Sequence, residues 1–205
     1  MPPTRTRERE RSQRAILEAA EELFAESGFD RVSLAEIGEA AGVSRGLPAY
    51  FFNDKANLYR TVIDHAAQHL RERVGDALAP DAAPSPAAAV ERLVTVYLDY
   101  LAANPRIVRL LQWEFLQPSG GRLSDAPEIL FGYAVEALRE AFAGAEKVDV
   151  DVRELVLSLV GMCLFPFMVP AVAGETKSTP WDSTRVAARR QHIVDLLLGG
   201  MKGNR

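Results

Sequence analysis

The sequence predicts an all-α fold, and three observations carry that expectation. Apolar residues recur at the spacing of three and four that places them on one face of a helix. The β-branched residues stand singly on those stripes instead of alternating along a strand. No dipeptide of the Asn-Gly kind marks a hairpin.

In chain order, Ile16, Leu17, Ala20, Leu23 and Phe24 make the first stripe, and Gly28 closes it as a C-terminal cap would. Leu58, Val62, Ile63, Ala66, Leu70 and Val74 make a second long stripe. Val90, Leu93, Val94, Tyr97, Leu98 and Leu101 make a third, which Asn104 and Pro105 end. Ile107, Leu110, Leu111 and Phe115 follow, ended by Pro118 and by Gly120 with Gly121. Further helical segments are expected over about 127–143, 150–169 and 184–201. The Ala/Pro-rich run 79–89 (APDAAPSPAAA) reads as a boundary loop between a short-helix first third and a long-helix remainder.

The chain has 205 residues, 48% of them hydrophobic and 25% charged, with a formal net charge of −4. That length fits one or two domains with a real core. The charge excludes a protein basic all over but leaves room for a local basic patch. A single cysteine, Cys163, excludes a disulfide framework and a Cys-rich zinc site. The opening MPPTRTRERERSQR has no apolar segment behind it to act as a secretory signal, so cytosol is the expected compartment. One stretch tests this: residues 155–174 are 20 in a row without a charge, long enough to cross a bilayer. Pro166 and Pro170 would break such a helix, and no basic cluster flanks either end. A buried core helix is expected instead, covered in part by a second copy of the chain.

Between Val32 and Tyr59 the elements become short. Ser33 with Glu36 three residues later is a capping box, so a helix starts there, with Leu34, Ile37 and Ala41 inward. Gly42 stops it, Val43 turns inward, and Ser44 is placed to cap a second short helix. Two helices joined by a glycine turn form the helix-turn-helix plan, whose second helix offers its first residues to the DNA major groove. Lys55 stands in the opening turn of the next helix, just after Asn53 and Asp54, where a cation opposes the helix dipole. A phosphate clamp would explain it. Tyr50, Phe51 and Phe52 are consecutive and cannot share one face, so one of them points outward, and an exposed tyrosine can bond a phosphate oxygen. The leader sets Arg5, Arg7, Arg9, Arg11 and Arg14 against Glu8 and Glu10. It reads as a basic arm for the DNA backbone or minor groove, or as a solvated stretch whose charges pair as a helix begins.

The segments ILEAAEELFAESGFD, SLAEIGEAAGVSRG and YFFNDKANLY, in this order and spacing, resemble the N-terminal domain of the TetR family of bacterial repressors. The likeness covers about the first 60 residues. It implies an all-α homodimer that binds a palindromic operator and is released by a small molecule. The implied organisation is a basic flexible leader over 1–14, a three-helix DNA-binding domain over 15–60, a connecting helix over 61–78 and a larger ligand-binding and dimerisation domain over 85–205. Carried over by position, Ser33 would touch phosphate, Ser44, Arg45, Gly46 and Leu47 would form the leading turn of the recognition helix, and Tyr50 and Lys55 would clamp the backbone. Many members read Thr-Leu-Tyr-Tyr-His-Phe where this chain has Leu47, Pro48, Ala49, Tyr50, Phe51 and Phe52. Pro48 costs the recognition helix its first internal bond only. Arg45 is the one long donor facing the groove and is expected on a guanine edge.

In the larger half, Tyr97, Trp113, Phe131, Met162 and Phe165 come from separate segments and could line one pocket, for an apolar or aromatic effector. Breaks at Pro166 and Pro170 would leave carbonyls free towards it. Leu155, Leu159, Ile193, Leu197 and Met201 are the expected dimer surface, on the last two helices that the family resemblance implies. His65 and His69 share a helix face without a third ligand, so no metal is expected, nor any other cofactor. Cys163 in the apolar run reads as an inert thiol, and no catalytic constellation points to an enzyme. The other reading is an all-α small-molecule-binding protein whose helix-turn-helix no longer binds DNA.

Overall fold

The computed structural model describes residues 5–115, 131–143, 150–169 and 181–202. Among them are the helices α1 (Arg5–Ser27), α2 (Leu34–Ala40), α3 (Leu47–Phe52), α4 (Lys55–Leu78), α5 (Pro86–Ala103), α6 (Pro105–Phe115), α7 (Tyr133–Phe142), α8 (Val152–Met168) and α9 (Ser183–Lys202), and no strand. The all-α expectation holds. The chain divides into two compact units, residues 1–66 with 109–123, and residues 67–108 with 124–205.

In the first unit, α1, α2 and α3 pack on one another over Ile16, Ala20, Phe24, Ile37, Leu58 and Tyr59, all buried. Phe24 and Phe29 stack at 5.8 Å, and Tyr59 meets both edge-on at 5.1 and 5.2 Å. The basic leader is a correction: residues 5–14 are not a flexible arm but the first turns of α1. Arg, Glu and Gln are good helix formers, and opposite charges three and four apart support each other on a helix. A second correction concerns α6, which the sequence reading places wholly in the larger domain. Its last residues belong to this unit: the Trp113 indole donates to the Ala25 carbonyl at 3.2 Å, and the buried Glu114 carboxylate accepts from the Tyr59 hydroxyl at 2.6 Å. Gly28, at φ +76°, lies under the Trp113 ring, which a Cβ there would approach to 3.2 Å.

In the second unit, α5 is the central helix, packed by α7, α8 and α9. Its buried face is the predicted one: Val90, Leu93, Val94, Tyr97, Leu98 and Leu101. Ser85 caps α5 through the Ala88 N–H, and Asp151 caps α8 through those of Arg153 and Glu154. Across the helices, Arg190 on α9 bonds Asp99 on α5 at 2.6 Å. Helix α8 runs through Pro166 to Met168 instead of breaking. The Met162 carbonyl, which Pro166 deprives of its helical donor, is not free towards a cavity either, because Arg189 donates to it at 2.9 Å. Pro170 lies outside the described residues. No helix among the described residues is long and apolar enough to cross a membrane.

The residues of the expected pocket set are divided between the two units. Trp113 belongs to the first unit, and Phe165 is 54% exposed on α8. Tyr97 is buried, while Phe131 and Met162 are half-buried. Burial pushes the Tyr97 hydroxyl above the ordinary phenol range and the Cys163 thiol up to about 12. A cavity of about 610 Å³ opens elsewhere in this unit, lined by Gly75, Leu78, Pro84, Tyr133, Ala137 and Glu140 among others. Three of the expected dimer residues also face inward: Leu155, Leu159 and Ile193 are buried within the single chain, and Leu197 is half-buried. The side chain of Met201 lies outside the described residues. Among the described residues, the large apolar side chains exposed on α8 and α9 are Leu157, Phe165 and Leu196. An α8 apolar on every side gives no periodic signal of which stripe is inside, and this is why the sequence misplaced them.

Candidate nucleic-acid interface

Helix α2 begins at the predicted capping box. The Ser33 hydroxyl accepts from the Glu36 N–H at 3.2 Å, and the Glu36 carboxylate accepts from the Ser33 N–H at 2.7 Å. The Ser33 hydroxyl, which also donates to the Glu36 carboxylate at 2.7 Å, and then the Ser33 N–H hold that carboxyl below its ordinary range. Ser33 is exposed at the start of the helix, where the resemblance places it. Helix α2 ends as Gly42 turns left-handed at φ +66°, and the Val43 N–H closes the turn on the Gly38 carbonyl at 2.9 Å. Gly38 faces the next segment so closely that a Cβ there would meet the Ser44 carbonyl oxygen at 3.0 Å and the Arg45 Cα at 3.1 Å. This close approach seats the second short helix against the first.

Helix α3 starts later than the resemblance implies. Ser44 does not cap it through its side chain. Ser44, Arg45 and Gly46 form a turn, closed by the Leu47 N–H on the Ser44 carbonyl at 2.9 Å, and Gly46 is the N-cap. Pro48 then stands in the first turn of the helix, where its missing N–H would have had no helical acceptor. It is buried, so the proline departure is a packing residue and leaves the turn intact. Ser44, Arg45 and Gly46 are exposed and Leu47 is half-buried. Tyr50 is 73% exposed and is therefore the outward member of its aromatic trio. The Arg9 guanidinium from α1 lies 5.5 Å from the centre of the half-buried Phe51 ring, beside this helix.

Lys55 departs from expectation. Its ammonium donates to the carbonyls of Phe29 and Val32, each at 2.9 Å, and lies 4.3 Å from the centre of the Phe29 ring. These contacts fasten the loop between α1 and α2 to the first turn of α4, which accounts for a cation there without DNA. Asp54 caps α4 through the Asn57 N–H, while Asn53 at φ 71° ends α3. Sequence reasoning also missed Glu39, in the last turn of α2, whose carboxylate pairs with Arg45. Both are exposed, and no local spacing rule links residues six apart across a turn.

Comparison with known proteins agrees with this arrangement. Residues 16–62 match the bacterial regulatory proteins of the tetR family, and residues 86–197 match the tetracyclin repressor-like C-terminal domain. The chain is 29% identical over 199 residues to the transcriptional repressor SCO4008 of Streptomyces coelicolor, covering 92% of this chain and 98% of that one. It is 46% identical over 61 residues to the transcriptional regulator TtgR of Pseudomonas putida, a match that covers 29% of each chain. The fold superimposes on that of the regulator FadR of Bacillus subtilis, solved with stearoyl-CoA, with a TM-score of 0.69 at 18% identity, covering 91% of this chain and 97% of that one. An N-terminal helix-turn-helix domain followed by a C-terminal domain of the tetracyclin-repressor type makes this chain a member of the TetR family of transcriptional regulators.

Proposed function

We propose that the chain acts as a homodimeric repressor, not an enzyme, which binds a palindromic operator and is released by a small apolar or aromatic effector. The observation that carries this reading is the turn 44–46 with Tyr50 on α3, exposed and seated on α2 through Gly38. Arg45 reads a base edge, Tyr50 bonds phosphate, and Ser33, Ser44, Gly46 and Leu47 approach the backbone beside them. Lys55 supports this surface from behind. The dimer forms through the outer stripe of α8 and α9, where Leu157, Phe165 and Leu196 stand exposed in the single chain. The effector enters the second unit, where Tyr97, Phe131 and Met162 remain candidate contacts. The cavity at Tyr133, about 610 Å³ with alanine and proline walls, has the size of a small-molecule site. The Bacillus subtilis regulator was solved with stearoyl-CoA, whose long acyl chain makes apolar long-chain acyl compounds the first effectors to titrate.

A gel shift of the full chain on its own upstream DNA, with random DNA as competitor and at two salt concentrations, tests the reading. Binding that survives the competitor and weakens with salt is the expected result. Competitor-sensitive binding on every fragment of a genomic pool, with the helical circular dichroism intact, overturns it.

A further inference from the structure

We propose that Glu39 is a specificity-determining residue of the DNA-reading surface, holding the Arg45 guanidinium so that one fixed edge faces the base pair. The inference rests on the reading of Arg45 given above. Arg45 is the only long donor in residues 44–50, and its side chain is 73% exposed, so the core does not orient it. An arginine so placed samples many rotamers, and a loosely held donor discriminates poorly between bases. Glu39 supplies the missing constraint. Its Oε1 accepts from Nε of Arg45 at 2.8 Å and also from Nη2. A guanidinium has five N–H donors in a plane, so this arrangement consumes Nε–H and one hydrogen of Nη2. Both Nη1 hydrogens and the second Nη2 hydrogen remain, which is the edge that pairs with O6 and N7 of guanine.

Two features leave the acid without another explanation. A carboxylate in the last turn of α2 opposes the helix dipole, so helix stability does not favour it there. A carboxylate beside the reading turn repels phosphates whatever the base sequence, so affinity does not favour it either. Its second oxygen has no partner among the described residues and can accept from N4 of a cytosine next to the guanine. Glu39 thus exchanges general affinity for selectivity at the base pair Arg45 reads.

The experiment uses the full-length protein. Bound fragments are selected from a random DNA pool by the wild type, Glu39→Ala, Glu39→Gln and Arg45→Ala, and each protein is then titrated on the selected operator and its single-base-pair variants. Circular dichroism verifies that each variant is folded. Glu39→Ala is expected to bind random DNA severalfold more tightly and to lose discrimination about tenfold at one base pair per half-site. Glu39→Gln, which keeps the accepting oxygen, retains most of that discrimination. A fifth protein carrying both Arg45→Ala and Glu39→Ala shows no further change of preference at the base pair Arg45 reads, compared with Arg45→Ala alone. Wild-type preferences in Glu39→Ala overturn this proposal alone. A wild type that selects no sequence, or an Arg45→Ala protein that selects the wild-type sequence, overturns the reading of Arg45 and this proposal with it.

Discussion

Arg189 on α9 donates an Nη2–H to the main-chain carbonyl of Met162 on α8, at 2.9 Å. That carbonyl lies one turn before Pro166, whose ring nitrogen has no hydrogen to give it. A side chain from the neighbouring helix thus completes the backbone ladder of α8. Arg189→Ala is expected to destabilise the chain by about 1–3 kcal/mol, as a part-buried carbonyl loses a charged donor. In a Pro166→Ala background the same change should cost less, because an alanine at that position restores the helical N–H. A double-mutant cycle from urea melts measures the difference, and equal costs in both backgrounds contradict the assignment.

Lys55 is expected to behave as a fastener and not as a phosphate clamp. Lys55→Met removes two hydrogen bonds to the 29–32 loop and should cost about 1–3 kcal/mol of stability. Its DNA binding should weaken in step with the loss of folded protein, with the slope of affinity against salt unchanged. A clamp would lower that slope by about one unit per protomer instead.

Gly38→Ala is expected to separate the two short helices, because the added methyl would press on the Ser44 carbonyl and the Arg45 backbone. A loss of about 1–3 kcal/mol and weaker operator binding should follow. Gly46→Ala is the control, since a Cβ there meets nothing within 4 Å. Thermal melts compare the two, and similar losses of stability for both would contradict the packing account.

Leu157→Glu and Leu196→Glu are expected to give folded monomers, because both side chains are more than half exposed in the single chain. Leu159→Ala should instead cost about 2–5 kcal/mol of stability, as a side chain with no exposure leaves a cavity. Light scattering on a sizing column, with circular dichroism, distinguishes the two outcomes. A dimer that survives both glutamates would move the interface elsewhere.

The native chain holds the Cys163 proton well above the pH at which an unfolded thiol, near about 8.5, loses it. The native state then binds more protons than the unfolded state, so stability falls as pH rises from about 9 to about 12. The slope from this group is about 1.4 kcal/mol per pH unit. Tyr97, pushed up by burial, adds to the slope at higher pH. Urea melts at about pH 8 and about pH 10 should show a smaller alkaline loss for Cys163→Ala than for the wild type. Equal losses would mean that the thiol is less buried than its surroundings imply.

What could be read in advance was what neighbouring residues decide. The Ser33–Glu36 box, the stops at Gly28 and Gly42, the stripe on α5 and the outward Tyr50 all depend on residues within a few turns, and the sequence displays them. Lys55 escapes such reading because its acceptors are main-chain carbonyls 23 and 26 residues away, and carbonyls carry no mark in a sequence. Trp113 escapes it for a similar reason, since its partner at Ala25 is 88 positions away. The outer stripe of α8 is hidden because Leu155 and Leu157 are the same residue type with opposite burial.

The arrangement at α3 also bears on how such a protein can acquire new targets. Pro48 and Gly38 hold the second short helix in place and are buried, whereas Ser44, Arg45, Gly46 and Ala49 are exposed. Substitutions at the exposed positions therefore draw little on the modest stability of a folded domain. If the turn 44–46 reads DNA as proposed, a lineage can exchange one DNA address for another by single steps there while its scaffold stays within the limits of folding.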